Sequence, residues 1–354
     1  MERDEELRAT ATKNEAESAG ATQTTDTAAA PSAARARRVP VLGPVPAPIV
    51  APAGMIVLIL IIAAMFAPRF FIWGNVRTVI LDAAIYFILG AGMTFVITTR
   101  GIDLSIGAIT VLAGVGMAAA IKDFGVPVLG GILIAFAIGG LCGLINGVVI
   151  QKLRLPDLIV TLSTELIFRG LALIYAGGAV FFGFPELIRF LGGGRVLGLP
   201  MPIIVGLATI AIGHIVMTYH RIGYRVHAVG GDPVAARRMG INVDRYRIGV
   251  YVLMGLMCAF ASIVLAGRLD SVVASGAMTL MLHTIAAVIV GGTNLFGGRG
   301  TMIGTLLGAI LLSLIANAVV LLGFESFWQH VAAGVVIITS IALYSGKARE
   351  REAK

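Results

Sequence analysis

Ten apolar segments, each close to the length that crosses a lipid bilayer, follow one another between residues 50 and 345. A membrane-spanning helix needs about 20 predominantly apolar residues. Lipid offers the backbone no hydrogen-bond partner, so continuous apolar segments of this length are predicted to be helical. The sequence therefore predicts an all-α polytopic membrane protein with about ten transmembrane helices. The segments are 50–67, 76–99, 104–121, 126–150, 158–177, 199–219, 246–267, 280–296, 301–322 and 326–345.

The composition excludes an ordinary soluble domain. Hydrophobic residues make up 58% of the chain and charged residues only 13%, whereas a soluble domain carries about 25% charged residues. The 45 glycines favour helices that pack closely on small residues. A net charge of +8 is compatible with nucleic-acid binding. However, the arginines lie between apolar segments, which agrees better with the excess of Lys and Arg in cytoplasmic loops of membrane proteins. We therefore predict a membrane lipid environment and no nucleic-acid partner.

The ends of the chain are predicted to be cytoplasmic tails around one membrane domain, 49–345. Residues 1–48 are rich in Ala, Thr, Glu and Ser, so this segment is predicted to be disordered. It does not resemble a signal peptide, because the first apolar segment begins only after residue 48. Residues 346–354 form the second tail. With ten crossings, most loop arginines fall on the side of the tails, so both termini are predicted to be cytoplasmic.

One long polar interruption, 219–247, divides the apolar segments into two sets. It contains six arginines and two aspartates. Within it, GGDPVAARRMGIN has the pattern of a short helix, with Asp232 as cap, Pro233 at the first helical position and Gly240 as terminator. A helix this short cannot fold alone, so we predict a cytoplasmic loop at 220–245 that packs on another protein.

Two stretches share the pattern of an apolar helix, a Gly/Thr-rich break and a second apolar helix. They are 92–114 and 286–309, and each is accompanied by an apolar segment with an internal asparagine, Asn146 or Asn317. Inverted repeats with interrupted helices are a known transporter architecture. The sequence thus indicates a possible inverted repeat that relates helices 2–5 to helices 7–10.

Ionisable residues within membrane segments are candidates for a translocation path, since each is costly to place in lipid. Asp103, in TTRGIDLSIG, is interpreted as the N-cap of the third helix, as a polar element of the path, or both. Glu165 and Arg169 lie four residues apart on one helix and are predicted to pair. Their pair either fixes helix packing or contacts the solute.

His283 is predicted to be a hydrogen-bonded residue near a helix start rather than a metal ligand, because no second His, Asp or Glu lies at ligand spacing. Uncharged polar residues would suit a polyhydroxylated solute, although helix–helix hydrogen bonding explains them equally well. The candidate path residues are Asp103, Ser105, Asn146, Glu165, Arg169, His283, Thr293, Asn294 and Asn317.

Nucleotide and hydrolase motifs are missing from the sequence. No phosphate loop, HExxH or GxSxG motif occurs, and the glycine-rich GGTNLFGGRG does not follow a strand in a βαβ unit. We therefore predict no catalytic residue, no cofactor and no metal, and expect any ATP hydrolysis to occur in a separate subunit.

The chain resembles the permease subunit of bacterial ABC importers of the ribose/xylose/arabinose type. The resemblance is carried by GMTFVITTRGIDLSIGAITVLAG, LIVTLSTELIFRGLALIYAGG, the segment GYRVHAVGGDPVAARRMGINVDRYRIGVYVLMGLMCAFASIVLAGRL, and IAAVIVGGTNLFGGRGTMIGTLLGAIL. It spans about 70–345. Two departures concern the solute: Met281 and His283 stand where family members usually carry acidic residues, and Glu165 stands where most are neutral.

The resemblance implies a complex in the bacterial inner membrane that imports a monosaccharide or polyol. This permease would pair with a second copy or a homologue, two ABC ATPase subunits, and a periplasmic or lipid-anchored substrate-binding protein. Residues 230–240 would be the helix that couples to the ATPase. Its residues are Gly230, Gly231, Asp232, Pro233, Ala236, Arg237, Arg238 and Gly240.

Three alternatives stay open from the sequence. Arg237 and Arg238 would meet an acidic patch on the ATPase or, alternatively, lipid phosphates. A branched-chain amino acid ABC permease would use charged groups such as Glu165, Arg169 and His283 for a zwitterion. An ion-coupled secondary transporter would need a titratable residue in the membrane, for which Asp103 or Glu165 would serve. A requirement of uptake for ATP would distinguish an ABC permease from this ion-coupled transporter.

Overall fold

The computed structural model describes residues 47–325, 327–336 and 338–339. Its regular structure is almost entirely helical, as the sequence predicts. The predicted N-terminal tail lies outside the described residues up to residue 46, and the C-terminal tail lies wholly outside them. The helices are α1 (Ala47–Phe66), α2 (Trp73–Thr98), α3 (Ile106–Lys122), α4 (Val128–Leu153), α5 (Asp157–Ala176), α6 (Glu186–Gly193), α7 (Met201–Tyr219), α8 (Arg221–Gly231), α9 (Pro233–Arg238), α10 (Val243–Leu269), α11 (Met278–Val290) and α12 (Met302–Leu321), with a 3-10 helix at Pro68–Phe71.

Six of these helices are long and apolar enough to cross a membrane: α2, α4, α5, α7, α10 and α12. Three shorter apolar helices, at Val50–Phe66, Ile106–Lys122 and Thr279–Val290, occupy the first, third and eighth predicted segments. The tenth segment is helical at 328–336 and at 338–339, and its last residues lie outside the described ones. An all-α polytopic membrane fold is thereby confirmed.

Helices α3 and α11 are too short to cross a bilayer alone. With 17 and 13 residues they span about 26 and 20 Å, against a hydrocarbon core of about 30 Å. The prediction that the eighth segment reaches residue 296 is wrong, because α11 ends at Val290. Gly291 and Gly292 form a turn after the helix, and Gly292 has a φ of +85°. Non-helical segments, 99–105 and 270–277, precede the two short helices.

The N-termini of α3 and α11 meet inside the protein. A Cβ atom placed on Gly107 would lie 2.7 Å from the carbonyl oxygen of Ala277. Ile106 is fully buried beside it. Irregular backbone at membrane depth is tolerated only where protein or a water-filled cavity surrounds it, so the segment 99–105 depends on this burial.

Contacts between loops define two ends of the molecule. At the arginine-rich end, formed by 98–103, 153–157, 219–247 and 291–301, the Gly298 amide donates to the Thr98 carbonyl at 2.9 Å. The strand end is formed by 122–127, 177–200 and 269–277. There β1 (Val180–Phe182) pairs antiparallel with β4 (Ser271–Val273), and β2 (Arg195–Val196) pairs with β3 (Leu199–Pro200).

Small residues allow α4 and α10 to pack backbone against backbone. Cβ atoms placed on Gly139, Gly143 or Gly255 would each overlap a carbonyl oxygen of the facing helix. Glycine at these positions removes the side chains that would hold the helix axes apart, as close-packed membrane helices require. This contact and the almost completely buried α2 form the centre of the fold.

The predicted repeat needs one correction. The breaks in 92–114 and 286–309 lie at the same end of the molecule, joined by the Gly298–Thr98 hydrogen bond. Those two stretches run in the same direction, so inversion does not relate them. The helix packing is nevertheless reciprocal: α2 packs on α11 and α12, while α10 packs on α3 and α4. This pattern fits an inverted relation of helices 2–5 to 7–10, which stays a prediction.

Candidate functional site

The polar interruption folds into two helices, α8 and α9, with Asp232 between them. Asp232 Oδ1 accepts hydrogen bonds from the amides of Val234, at 2.8 Å, and Ala235, at 3.1 Å. Pro233 occupies the first helical position, and Gly240 ends the segment at φ +79°, which favours glycine. The predicted cap, first residue and terminator of the short helix are all found.

Electrostatics around Asp232 keep its carboxylate charged at neutral pH. The amides of Ala235 and Val234 lower its pKa from the usual value, and the nearby guanidinium groups of Arg100 and Arg238 act in the same direction. Because the pKa of Asp232 is lowered in the folded state, the cap stabilises the fold at pH values above the unfolded-state pKa, which is near 4. This stabilisation is lost as the pH falls through the folded-state pKa.

Helix α9 has one buried side and one exposed side. Ala236 is fully buried and packs with Val229 and Val243 in a small apolar cluster. On the other side, Val234 and Met239 leave more than half of their surface exposed. We call Val234, Arg238 and Met239 the exposed face of α9.

The two arginines of α9 differ in their contacts. Arg237 turns back toward α10 and pairs with Asp244 at 3.0 Å. Arg238 forms no ion pair within the part of the chain that the structure describes. Its charge therefore remains available to a partner, whereas that of Arg237 is partly balanced within the chain.

Asp103, Ser105 and Asn146 form a buried hydrogen-bonded chain that we call the polar core. The Ser105 amide and hydroxyl donate to Asp103 Oδ1 at 2.8 and 2.6 Å, and Asn146 Nδ2 donates to the Ser105 hydroxyl at 2.8 Å. All three residues are fully buried. Asp103 Oδ2 and Asn146 Oδ1 find no hydrogen-bond partner among the described residues. The polar core therefore brings three predicted path residues together.

The prediction that Asp103 caps α3 is wrong. The helix begins at Ile106, and Ser105 occupies the N-cap position without a side-chain capping bond. The Asp103 carboxylate accepts from Ser105 itself and not from the amides of the first turn. It thus stabilises the turn before the helix, because a short acidic side chain readily bonds the backbone two residues on.

Glu165 and Arg169 form the predicted ion pair on α5. Arg169 Nε donates to Glu165 Oε1 at 2.6 Å, and Nη2 lies 2.5 Å from the same oxygen. The side chains are only 14% and 15% exposed. Arg169 Nη2 lies 3.7 Å from the position that a Cβ of Gly107 would take. The pair therefore faces the meeting point of α3 and α11.

His283 lies at the sixth position of α11, and its Nδ1 donates to the carbonyl of Thr279 at 2.9 Å. Its ring stacks on Tyr86, with 5.8 Å between centroids, and meets His330 edge to face. His283 is therefore a hydrogen-bonded residue in the first half of α11. No group of three or more His, Cys, Asp and Glu side chains suited to a metal occurs among the described residues.

The remaining candidate path residues lie apart from the polar core. Thr293 is buried at the arginine-rich end. Asn294 stabilises the adjacent turn, where its side chain bonds the Gly297 carbonyl and the Phe296 amide. Asn317 and Asn75 exchange hydrogen bonds of 2.8 and 2.9 Å between α12 and α2. For Asn317, helix–helix hydrogen bonding is the contact that the structure shows.

Sequence reasoning missed a polar network at the arginine-rich end. Asp157 Oδ2 accepts from Arg247, at 2.6 Å, and from the hydroxyl of the fully buried Tyr251, at 2.9 Å. The same hydroxyl reaches the Ile102 carbonyl at 3.3 Å. One signal was available: Asp157 directly follows Pro156, ahead of an apolar helix, and its charge needs a partner there.

A neutral side chain at position 103 is expected to preserve function. Asp103→Asn keeps an oxygen that accepts from Ser105 and avoids a buried charge without a cationic partner, so solute uptake should stay within about twofold of the parent. Asp103→Ala removes the acceptor and should lower uptake by about tenfold. Uptake by cells with matched permease levels measures both. A loss in the asparagine variant as large as that in the alanine variant would show that the charge itself is required.

Comparison with known proteins gives a consistent result. A family model described as branched-chain amino acid transport system / permease component matches residues 75–341. The ribose import permease protein RbsC of Escherichia coli (strain K12) is 37% identical over 299 residues, or 83% of this chain and 92% of the relative. The probable ABC transporter permease protein YphD of the same strain is 37% identical over 292 residues, or 81% and 87%. The fructose import permease protein FrcC of Rhizobium meliloti is 33% identical over 300 residues, or 82% and 83%. No solved structure matches the chain.

Proposed function

The chain belongs to the permease-component family of branched-chain amino acid transport systems, and from that premise we propose that it is the membrane-spanning permease of an ABC importer for a monosaccharide or polyol. The observation that carries the proposal is its 37% identity to a ribose import permease over 92% of that protein. It is a multi-pass inner-membrane protein and a permease subunit, a class that does not itself hydrolyse ATP.

The class of solute follows from the relatives and from the polar core. Ribose and fructose appear in the names of relatives that match nearly the whole membrane domain, which favours a sugar over a branched-chain amino acid. Asp103, Ser105 and Asn146 supply hydroxyl, amide and carboxyl groups, the hydrogen-bonding types that suit hydroxyl-rich solutes. Glu165 and Arg169 neutralise each other, so the pair provides no free charge for a zwitterion.

The ATPase partner is proposed to bind at α9. The exposed face of α9 combines apolar side chains with the guanidinium of Arg238, which forms no ion pair among the described residues. This combination suits a cleft with an acidic patch on a protein better than a lipid headgroup. Gly230, Gly231, Asp232, Pro233 and Gly240 then define the shape of the segment, and Ala236 anchors it to the permease. Movement of the ATPase dimer would act on this helix.

The remaining partners follow from the two ends of the molecule. We propose that the arginine-rich end faces the cytoplasm, in agreement with the positive-inside rule, and that both termini lie on that side. The strand end would then receive the periplasmic or lipid-anchored binding protein. A second permease copy or homologue, together with membrane lipid, would cover the exposed apolar side chains of α5, which include Leu162, Leu166 and Ile174.

Uptake is expected to require ATP and the partner subunits. In vesicles that contain the permease, its ATPase and the binding protein, ATP should raise accumulation of a labelled sugar by at least about tenfold over background. Candidate sugars are first tested for binding to the isolated binding protein. A Walker-A lysine variant of the ATPase partner serves as the control and should abolish the increase.

An ion-coupled transporter would behave differently in the same vesicles. If a proton or sodium gradient drove uptake by this chain alone, without ATPase or binding protein, the proposed function would be wrong. Dissipating each gradient with an ionophore separates the two mechanisms, because ATP-driven uptake should persist after the gradient has collapsed.

A further inference from the structure

Three segments meet at one junction of the arginine-rich end: 98–100, 297–298 and 227–231, the last residues of α8, immediately before the coupling helix α9. The Gly298 amide donates to the Thr98 carbonyl at 2.9 Å, and His227 Nδ1 donates to the Gly298 carbonyl at 3.2 Å. Arg100 Nε donates to the Gly230 carbonyl at 2.6 Å, and its Nη2 donates to the Gly231 carbonyl. These three segments are otherwise far apart in the chain.

The junction has no free space for relative movement. A Cβ on Gly230 would overlap the Thr98 carbonyl oxygen and lie 2.7 Å from the Gly298 amide nitrogen. A Cβ on Gly297 would overlap Arg100 Cγ. Because most of the opposing atoms belong to backbone, a displacement of the end of α8 must move the 98–100 segment as well.

Arg100 occupies a backbone conformation that normally selects glycine. Its φ is +66°, in the left-handed region that disfavours side chains with a Cβ. Its guanidinium donates to two consecutive carbonyls at the C-terminus of α8, where the helix leaves carbonyl groups unsatisfied and favours positive charge. The hydrogen bonds of its side chain therefore explain why position 100 is arginine, although glycine would adopt this backbone conformation with less strain.

The segment that follows Arg100 leads directly to the polar core. Only Gly101 and Ile102 separate Arg100 from Asp103, an extended distance of about 10 Å. The Ile102 carbonyl lies 3.3 Å from the Tyr251 hydroxyl and 3.3 Å from the Thr161 hydroxyl, and Asp103 is fully buried. On the other side of the junction, Gly231 is followed at once by Asp232, the cap of α9. Arg100 thus connects the residues just before the coupling helix to the segment that leads into the polar core.

We propose that Arg100 is a positioning residue that transmits displacement of the coupling helix α9 to the segment 99–105, and through it to Asp103 and the start of α3. This proposal rests on the proposed function in assuming that a partner ATPase moves α9. The physical link itself, between α8 and the segment 99–105, is a property of this chain alone.

The first test measures that link without partners. Arg100→Gly removes the guanidinium and relieves the backbone strain, so the permease should keep its melting temperature. Hydrogen–deuterium exchange of the amides in 99–105 should nevertheless become about tenfold faster, as expected when a local clamp is lost. Arg154→Gly is the matched control, because Arg154 also has a positive φ, +53°, at the same end and forms no ion pair among the described residues. Equal exchange in parent and Arg100→Gly would overturn the proposal.

The second test measures coupling in vesicles with the ATPase and the binding protein. Arg100→Gly should lower the number of solute molecules transported per ATP hydrolysed by about tenfold, within the range of known coupling between sites. Arg100→Lys should fall between this variant and the parent, because an ammonium group keeps the charge but lacks the two-pronged geometry. An unchanged ratio would contradict the proposal. If the parent complex showed no ATP-driven uptake, the proposed function would fail, and the exchange measurement would still decide the link.

Discussion

Gly255→Ala is expected to destabilise the folded permease. A Cβ at position 255 would overlap the carbonyl oxygen of Gly139 and lie 3.1 Å from the amide nitrogen of Gly143. Both are backbone atoms of α4, so no side chain can rotate away and the two helices must separate. Over-packing of this kind costs about 1–3 kcal/mol and occasionally more. The melting temperature in detergent should fall by about 5 °C or more.

Gly249→Ala provides the matched control in the same helix. No atom lies within 4 Å of the Cβ position at Gly249, and alanine is favoured over glycine in a helix by about 0.5–1 kcal/mol. The melting temperature of this variant should therefore stay the same or rise slightly. If the two alanine variants melted alike, the backbone-to-backbone packing of α4 on α10 would be wrong.

The short helix α9 could be predicted from sequence because local chemistry determines it. Asp232, Pro233 and Gly240 each satisfy a requirement of a helix end that depends only on neighbouring residues, and the structure places all three as predicted. The asymmetric contacts of Arg237 and Arg238 could not be predicted in the same way. They depend on the position of Asp244 at the start of α10, on the far side of a turn.

Half-length helices could not be distinguished from full crossings by composition. The segments 104–121 and 280–296 are as apolar as those that span the bilayer, yet α3 and α11 begin inside the protein. The residue at which each helix begins depends on the irregular segment before it. In 99–105, that segment is buried against side chains from distant helices, such as Tyr251, whose hydroxyl lies 3.3 Å from the Ile102 carbonyl. The same limitation explains the Asp103 error, since a cap and a preceding turn use similar residues at neighbouring positions.

Polar contacts between distant helices were the least predictable part of the site. Asn75 and Asn317 are separated by 242 residues, and Tyr251 and Asp157 by 94. Nothing in the surrounding residues identifies the partner of such a side chain, whereas Glu165 and Arg169 could be paired because helical spacing brings them together. From sequence alone, Arg100 is one of several loop arginines, because its two carbonyl acceptors lie about 130 residues away.

Arg169→Gln is expected to destabilise the permease strongly. The substitution leaves the mostly buried Glu165 carboxyl group without its guanidinium partner. Removing one member of a buried ion pair costs roughly 3–5 kcal/mol, because the remaining charge is uncompensated. Glu165→Gln should have a similar effect through the unpaired guanidinium. Thermal unfolding of the purified permease measures stability, and uptake by cells measures function; both should fall in each single variant.

The double variant, in which both residues are glutamine, separates packing from solute contact. It contains no buried charge, and its neutral side chains still lie four residues apart, so stability should return to within about 1 kcal/mol of the parent. Uptake should return with it, because we interpret the pair as an element that holds α5 against the start of α3. Recovery of stability without recovery of uptake would contradict this interpretation. It would instead place the charged side chains in contact with the solute, so the comparison of the three variants decides which role the pair has.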